Sequence, residues 1–164
     1  MMELRKFVAP EFIFGVGAMQ LAGRYLSNFG AKRALVISDQ GVIDVGLTGT
    51  LQNLLAEEGI YTAVFSDISA NPRDNEVMAG ADFYHREHCD VIVAIGGGSP
   101  MDCAKGIGIV STNRINILDM EGIDNVPVPG PPLICIPTTS GTSADVSQFA
   151  IINDTGEKKK IAII

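Results

Sequence analysis

Histidine and cysteine are scarce in this chain: 2 and 3 among 164 residues. Cys89, Cys103 and Cys135 are odd in number and far apart, so no disulfide framework is expected, and reduced thiols in a cytoplasmic protein are the better reading. His85 and His88 stand at i, i+3 with Cys89 after them, but Arg86 and Glu87 lie between and no second cluster follows. A closed zinc site needs four matched ligands, so the group reads as a polar helix end, and no metal ligand is assigned. No window approaches the ~20 apolar residues that span a bilayer, which excludes a membrane partner of that kind. Met1 to Pro10 carries charges and no apolar h-region, so a secretory leader is not expected. Basic patches are equally lacking. The formal charge is −7, and the lone run, Lys158-Lys159-Lys160, reads as a solvated strand edge, so no nucleic-acid partner is expected.

What remains is a chain with 46% hydrophobic and 19% charged residues, a balance that disfavours disorder. A domain of this length buries roughly 70% of its unfolded surface, so residues 1–164 are read as one domain. Short apolar runs alternate with helical spacing. Residues 12–14 form a strand candidate, with Val8 before it and Gly15 after it. Residues 19–29 carry apolar side chains on one helical face and stop at Gly30, a natural helix terminator. Residues 34–37, 61–65, 91–95 and 133–136 read as buried strands, and 47–58, 74–88 and 100–111 as helices between them. Near the end, 149–152 and 160–164 flank Asn-Asp-Thr-Gly-Glu, a hairpin signal. The fold class is therefore α/β: a Rossmann-like, doubly wound, mostly parallel sheet with a C-terminal β-hairpin. Ile161 to Ile164 end the chain on an apolar strand with no cap or polar tail, which suggests one half of something larger.

The chemistry concentrates at residues 91–105. Five apolar residues run into Gly96, Gly97 and Gly98, and these run into a helix-start signal. Ser99 is expected to cap, Pro100 to take the first helical position, and Asp102 to answer the cap three residues on. Free N–H groups and the positive end of a helix dipole favour an anion, and glycines let a pyrophosphate approach the backbone. Three glycines are costly for a merely structural turn. The strict G-x-G-x-x-G pattern fails at its third glycine in both 15–20 and 96–101, and Gly-Lys-[Ser/Thr] is absent. Asp39, just past a strand end, has two readings: it hydrogen-bonds the hydroxyls of an adenosine ribose and repels a 2′-phosphate, or it caps the next helix. Asn71-Pro72 reads equally as a ligand contact or a helix-initiating turn. The loop from Pro137 through Thr138, Thr139 and Thr142 to Ser143 offers a second wall for the same cleft. Asp102 is expected to turn to its own helix cap or to ribose hydroxyls, with Lys105 pairing it or buttressing the cleft.

The run Gly96-Gly97-Gly98-Ser99-Pro100-Met101-Asp102-Cys103-Ala104-Lys105, followed by Pro137-Thr138-Thr139-x-Gly141-Thr142, closely resembles the iron-containing (group III) alcohol dehydrogenases. Phe14-Gly15-x-Gly17, Ser38-Asp39-x-Gly41, Asn71-Pro72 and Phe149-Ala150-Ile151-Ile152-x-Asp154 with Lys160 fit the same pattern in the same order. The resemblance implies an N-terminal NAD(P)-binding domain, with a helical metal-binding domain absent from this chain. It implies that Gly97, Gly98 and Ser99 hold the pyrophosphate, that Asp39 reads the ribose and that Asn71 lines the adenosine side. It also implies that Thr138, Thr139 and Thr142 wrap the phosphates, with Ser147, Phe149, Ile151 and Lys160 completing the cleft. Where the family often has Gly-Thr-Gly-Ser-Glu-Val, this chain has Gly141-Thr142-Ser143-Ala144-Asp145-Val146. The expected function is alcohol–aldehyde or ketone interconversion with NAD, and with a divalent metal (iron or zinc) only in the complete enzyme, a homo-oligomer. A dehydroquinate-synthase-like lyase domain and a free-standing nucleotide-binding module are the rival readings.

Overall fold

The structure, a computed structural model, describes residues 10–164. Four strands, β1 (Arg33–Ser38), β2 (Tyr61–Phe65), β3 (Val91–Gly96) and β4 (Leu133–Pro137), form one sheet in the order β2-β1-β3-β4. Every pairing in it is parallel, with Ala34 opposite Val91 and Ile92 opposite Leu133. Parallel neighbours need crossovers, and helices supply them: α3 (Leu47–Glu57), α4 (Asp74–Arg86) and α5 (Gly98–Asn113). Both faces of the sheet are therefore covered, which explains why β3 is buried along its whole length. Leu35, Ile37, Ile92 and Ala94 face α4 and α5. Their alternates Ala34, Val36, Val93 and Ile95 face α3 and α1 (Ala22–Asn28). Helices α4 and α5 approach closely at Gly80, where a Cβ would overlap the Ile107 side chain.

The hairpin pairs β5 (Ala150–Asp154) with β6 (Lys159–Ile163) in antiparallel register, Ile152 opposite Ile161. Its turn is closed by Asp154 Oδ1, which accepts from the Gly156 amide at 2.8 Å and the Glu157 amide at 3.0 Å. Ile152, Ile161 and Ile163 turn inward and join the α4–α5 side of the core. The hairpin is anchored to the loop before α4 by the Asn153 amide, which donates to the Pro72 carbonyl at 2.8 Å.

Two local expectations are corrected and one element is added. Residues 12–14 form no strand; Phe14 is fully exposed and has no strand beside it among the described residues, and Val8 lies outside them. A short helix, α2 (Gln40–Asp44), follows β1 without an apolar stripe long enough to announce it. Ser99 does not cap α5. Gly97 is the cap, extended at φ −85°, so Pro100 is the third helical residue and Asp102 lies deeper in the helix.

Candidate cofactor cleft

In an open parallel sheet a ligand is expected beyond the strand carboxyl ends, where neighbouring crossovers leave in opposite directions. Here that point lies between β1 and β3. β1 ends at Ser38 and hands on to Asp39; β3 ends at Gly96 and hands on to α5. A cleft of about 420 Å³ opens there, and Asp39, Gly97, Gly98, Ser99, Thr138 and Thr139 line it. Six positions singled out from the sequence thus meet in one place.

Each wall has a local cause. Gly96 must be glycine, since its φ is +151° and a Cβ would stand 2.6 Å from Pro100 Cγ. Gly97 and Gly98 have ordinary backbones but tight surroundings. A Cβ on Gly97 would meet Thr139 Oγ1 at 3.2 Å, and one on Gly98 would meet Thr142 Cβ at 3.3 Å. The two threonines therefore close over the glycines from the β4 side. The Thr138 amide donates to the Gly96 carbonyl at 2.9 Å and pins that loop to the turn. No side chain caps α5 and no acid stands in its first turn, so its first N–H groups face the cleft with the dipole's positive end behind them.

Asp39 realises the capping reading: Oδ1 accepts from the Val42 amide at 3.0 Å. Oδ2 is turned towards Gly96, where a Cβ would stand 3.2 Å from it, so the carboxylate both caps α2 and lines the cleft. Asn71, left-handed at φ 62°, lies behind Ser99. Its amide donates to Ser99 Oγ at 3.0 Å, its carbonyl accepts from Asn153 Nδ2 at 2.9 Å, and its Oδ1 accepts from Lys160 Nζ at 2.7 Å. Because Ser99 Oγ accepts from Asn71, its own proton is left to point at an acceptor in the cleft.

Ser147, Phe149 and Ile151 are not brought to the glycine turn; they gather on the flank of α5. Lys105 Nζ donates to Ser147 Oγ at 3.0 Å and to the Phe149 carbonyl at 2.8 Å. Asp102 takes a hydrogen bond from the Ile151 backbone and stands 3.6 Å from Lys105. This corrects the expectation that Asp102 turns to its own helix cap. Burial holds Asp102 above the usual carboxylate range and Lys105 below the usual amine range, each against the pull of the other.

Sequence reasoning missed Ile68, Ser69 and Ala70, which form the β2 side of the cleft. The Ser69 hydroxyl is buried without a hydrogen-bond partner among the described residues, an orphan that a polar ligand would satisfy. No local signal marks it; only its place after β2, a strand carboxyl end, could have pointed there. His85, His88 and Cys89 fall at the opposite, amino end of the sheet, beside the start of β3. Among the described residues no three His, Cys, Asp or Glu side chains gather as metal ligands, so they do not fit a resident metal.

A family model described as iron-containing alcohol dehydrogenase matches residues 9–164. Alcohol dehydrogenase 4 of Schizosaccharomyces pombe is 39% identical over 164 residues, covering 99% of this chain and 39% of that protein. Among solved structures, a 1,3-propanediol oxidoreductase aligns with a TM-score of 0.94 at 34% identity, covering 99% of this chain and 43% of that one. The sulfoacetaldehyde reductase of Bifidobacterium kashiwanohense, solved in complex with NAD+, aligns at 0.89 and 28% identity, again over 99% and 43%. The chain thus spans about two-fifths of the length of the relatives it matches.

Proposed function

Because this chain belongs to the iron-containing alcohol dehydrogenase family, we propose that residues 1–164 are a dinucleotide-binding domain whose cleft takes NAD(H). The complete protein would interconvert an alcohol with an aldehyde or ketone. The observation that carries this reading is the convergence of Asp39, Gly97, Gly98, Ser99, Thr138 and Thr139 on one cleft at the β1/β3 switch point. A nicotinamide cofactor held there would supply hydride-accepting and hydride-donating chemistry. The chain's own residues hold and orient it. The first N–H groups of α5 and the Ser99 hydroxyl take the pyrophosphate, with Gly97 and Gly98 giving the approach. Thr138, Thr139 and Thr142 close the opposite side. Asp39 Oδ2 accepts from a ribose hydroxyl and repels a 2′-phosphate, which selects NAD over NADP. Asn71 and Lys160 support Ser99 from behind, and Ser147, Phe149 and Ile151 complete the wall beside α5.

A divalent metal, iron or zinc, would belong to the complete enzyme in this reading. The family match and the Pro-Thr-Thr-x-Gly-Thr loop favour an alcohol dehydrogenase over a dehydroquinate-synthase-like lyase. A cytoplasmic setting is supported by three free thiols, and a small alcohol or aldehyde as partner by the family; no described helix is long and apolar enough to cross a membrane. The homo-oligomer rests on the resemblance alone.

Calorimetric titration with NADH tests the cleft. The parent chain is expected to bind and Gly98→Val to lose binding while keeping its fold, since the added methyls would push into Thr142 and the phosphate path. Unchanged affinity in Gly98→Val would move the site elsewhere.

A further inference from the structure

Ser147, Phe149 and Ile151 alternate along the segment that enters β5, and one pair of charges on α5 fastens all three. Lys105 holds the first two through Nζ, and Asp102 holds the third through its backbone amide. The pair is largely buried, with side chains 14% and 17% exposed. Around Lys105 stand Asp102 on its own helix, Cys135 on β4 and Asp145 in the loop before β5.

Burial is the largest influence on both groups, raising the Asp102 carboxyl and lowering the Lys105 amine. Apolar side chains of similar volume commonly serve as well or better in such places. They would not, however, fix where the backbone of 147–151 lies. That backbone matters because residues 138–149 form a single loop carrying Thr138, Thr139 and Thr142. One end of the loop is pinned where the Thr138 amide meets the Gly96 carbonyl. The other end is pinned by Lys105. Thr138 lines the cleft and also the broad apolar groove beside β4 that Lys105 borders, so the loop forms the partition between the two.

We infer that Asp102 and Lys105 are positioning residues, which clamp the 147–151 segment to α5 and thereby hold the threonine wall at a fixed distance from the α5 N-terminus. The role rests on the proposed NAD(H) reading of the cleft. Without the clamp the loop samples more positions, and ordering it again on binding weakens affinity. The clamp requires a charged amine, since Nζ must donate to Ser147, to Phe149 and towards Asp102. Affinity is therefore expected to fall as pH rises through the lowered Lys105 pKa.

The test is NADH affinity by fluorescence titration across pH, with a thermal melt of each protein. Lys105→Met is expected to bind about tenfold more weakly, a typical size for coupling between a remote group and a site. Lys105→Arg should keep most of the affinity and move the alkaline fall to higher pH, because guanidinium stays charged. The double variant Asp102→Leu/Lys105→Met should melt at or above the parent temperature yet bind as weakly as Lys105→Met. A merely structural role would instead make affinity follow the melting temperature and leave the pH profile in place, and either result overturns the clamp. A parent that does not bind NADH would overturn the cleft reading and this role with it. A parent that binds, beside variants of unchanged affinity, would overturn the role alone.

Discussion

The two ends of the parallel sheet treat their polar groups in opposite ways. At the amino end polar groups of the described residues are closed on one another. Asp90 accepts from the Lys32 amide at 2.9 Å and the Arg33 amide at 3.2 Å, while Arg33 Nε donates to the Glu87 carbonyl at 2.7 Å. The Arg33 guanidinium also lies 4.1 Å from the centre of the Tyr61 ring. At the carboxyl end α5 starts without a side-chain cap, and Ser69 Oγ is buried without a partner among the described residues. Strands supply similar apolar residues to both ends, so the core does not explain the difference. Bonding capacity satisfied by the protein contributes to stability, whereas capacity left open is available to a ligand. Substitutions at the amino end should change stability and leave cofactor affinity alone, and those at the carboxyl end should do the reverse.

The largest effect expected is a complete separation of binding from turnover. The 164-residue chain should bind NADH yet produce none from ethanol or 1,2-propanediol, with iron, zinc or manganese added, because its described residues gather no metal-ligand set to stabilise the alcohol oxygen. Saturable, metal-dependent NADH formation, followed at its absorbance band, would show that a side chain read here as structural builds a reaction site. Next comes Asp90→Ala, which removes the acceptor for two backbone amides. Urea unfolding should show a loss of about 1–2 kcal/mol, with NADH affinity unchanged. An affinity loss in that variant would break the contrast between the two ends.

Asp39→Gly is the matching test at the carboxyl end. Glycine is tolerated at a helix N-cap, so stability should fall by only a few tenths of a kcal/mol. NAD affinity should fall about tenfold while NADP gains, the sign expected when a like charge is removed from the 2′-position. Unaltered preference would leave Asp39 as a cap and nothing more. The smallest effect is a drift with pH. Burial pushes the Cys89 thiol up to about 11 from an ordinary 9.0 and the Tyr84 hydroxyl up to about 12 from 10.0. Above pH ~9 the unfolded chain releases protons from these two groups that the native chain keeps, so their contribution to stability falls as pH rises towards 12. Both groups lie at the amino end, so Cys89→Ser should flatten the first part of that fall in pH-dependent melts.

The four sheet strands were legible because each is a continuous apolar run with helical spacing on either side, the pattern that burial on two faces demands. The hairpin was legible from Asn-Asp-Thr-Gly-Glu, whose Asp154 closes the turn. Residues 12–14 misled because three apolar side chains suggest burial without supplying a partner, and Phe12, Ile13 and Phe14 are all exposed. In the site, the glycines and threonines were readable as strand-end loops. The bonds that set Ser99 and Asp102 were not. Ser99 is engaged by Asn71, 28 residues away, and Asn71 by Lys160, 89 residues away. Local capping rules pointed both residues at their own helix, and tertiary partners redirected them. Ser69 carries no local pattern, because its meaning is the bond it lacks.

The most direct measurement of the central claim is a residue-resolved amide NMR titration of the parent chain with NADH. The Gly97, Gly98 and Ser99 amides, together with those of Thr138 and Thr139, should shift most and saturate together, while those of Lys32, Arg33 and Asp90 stay in place. Saturating shifts confined to the amino end, or to the groove beside β4, would contradict the assignment of the cofactor to the carboxyl end of the sheet.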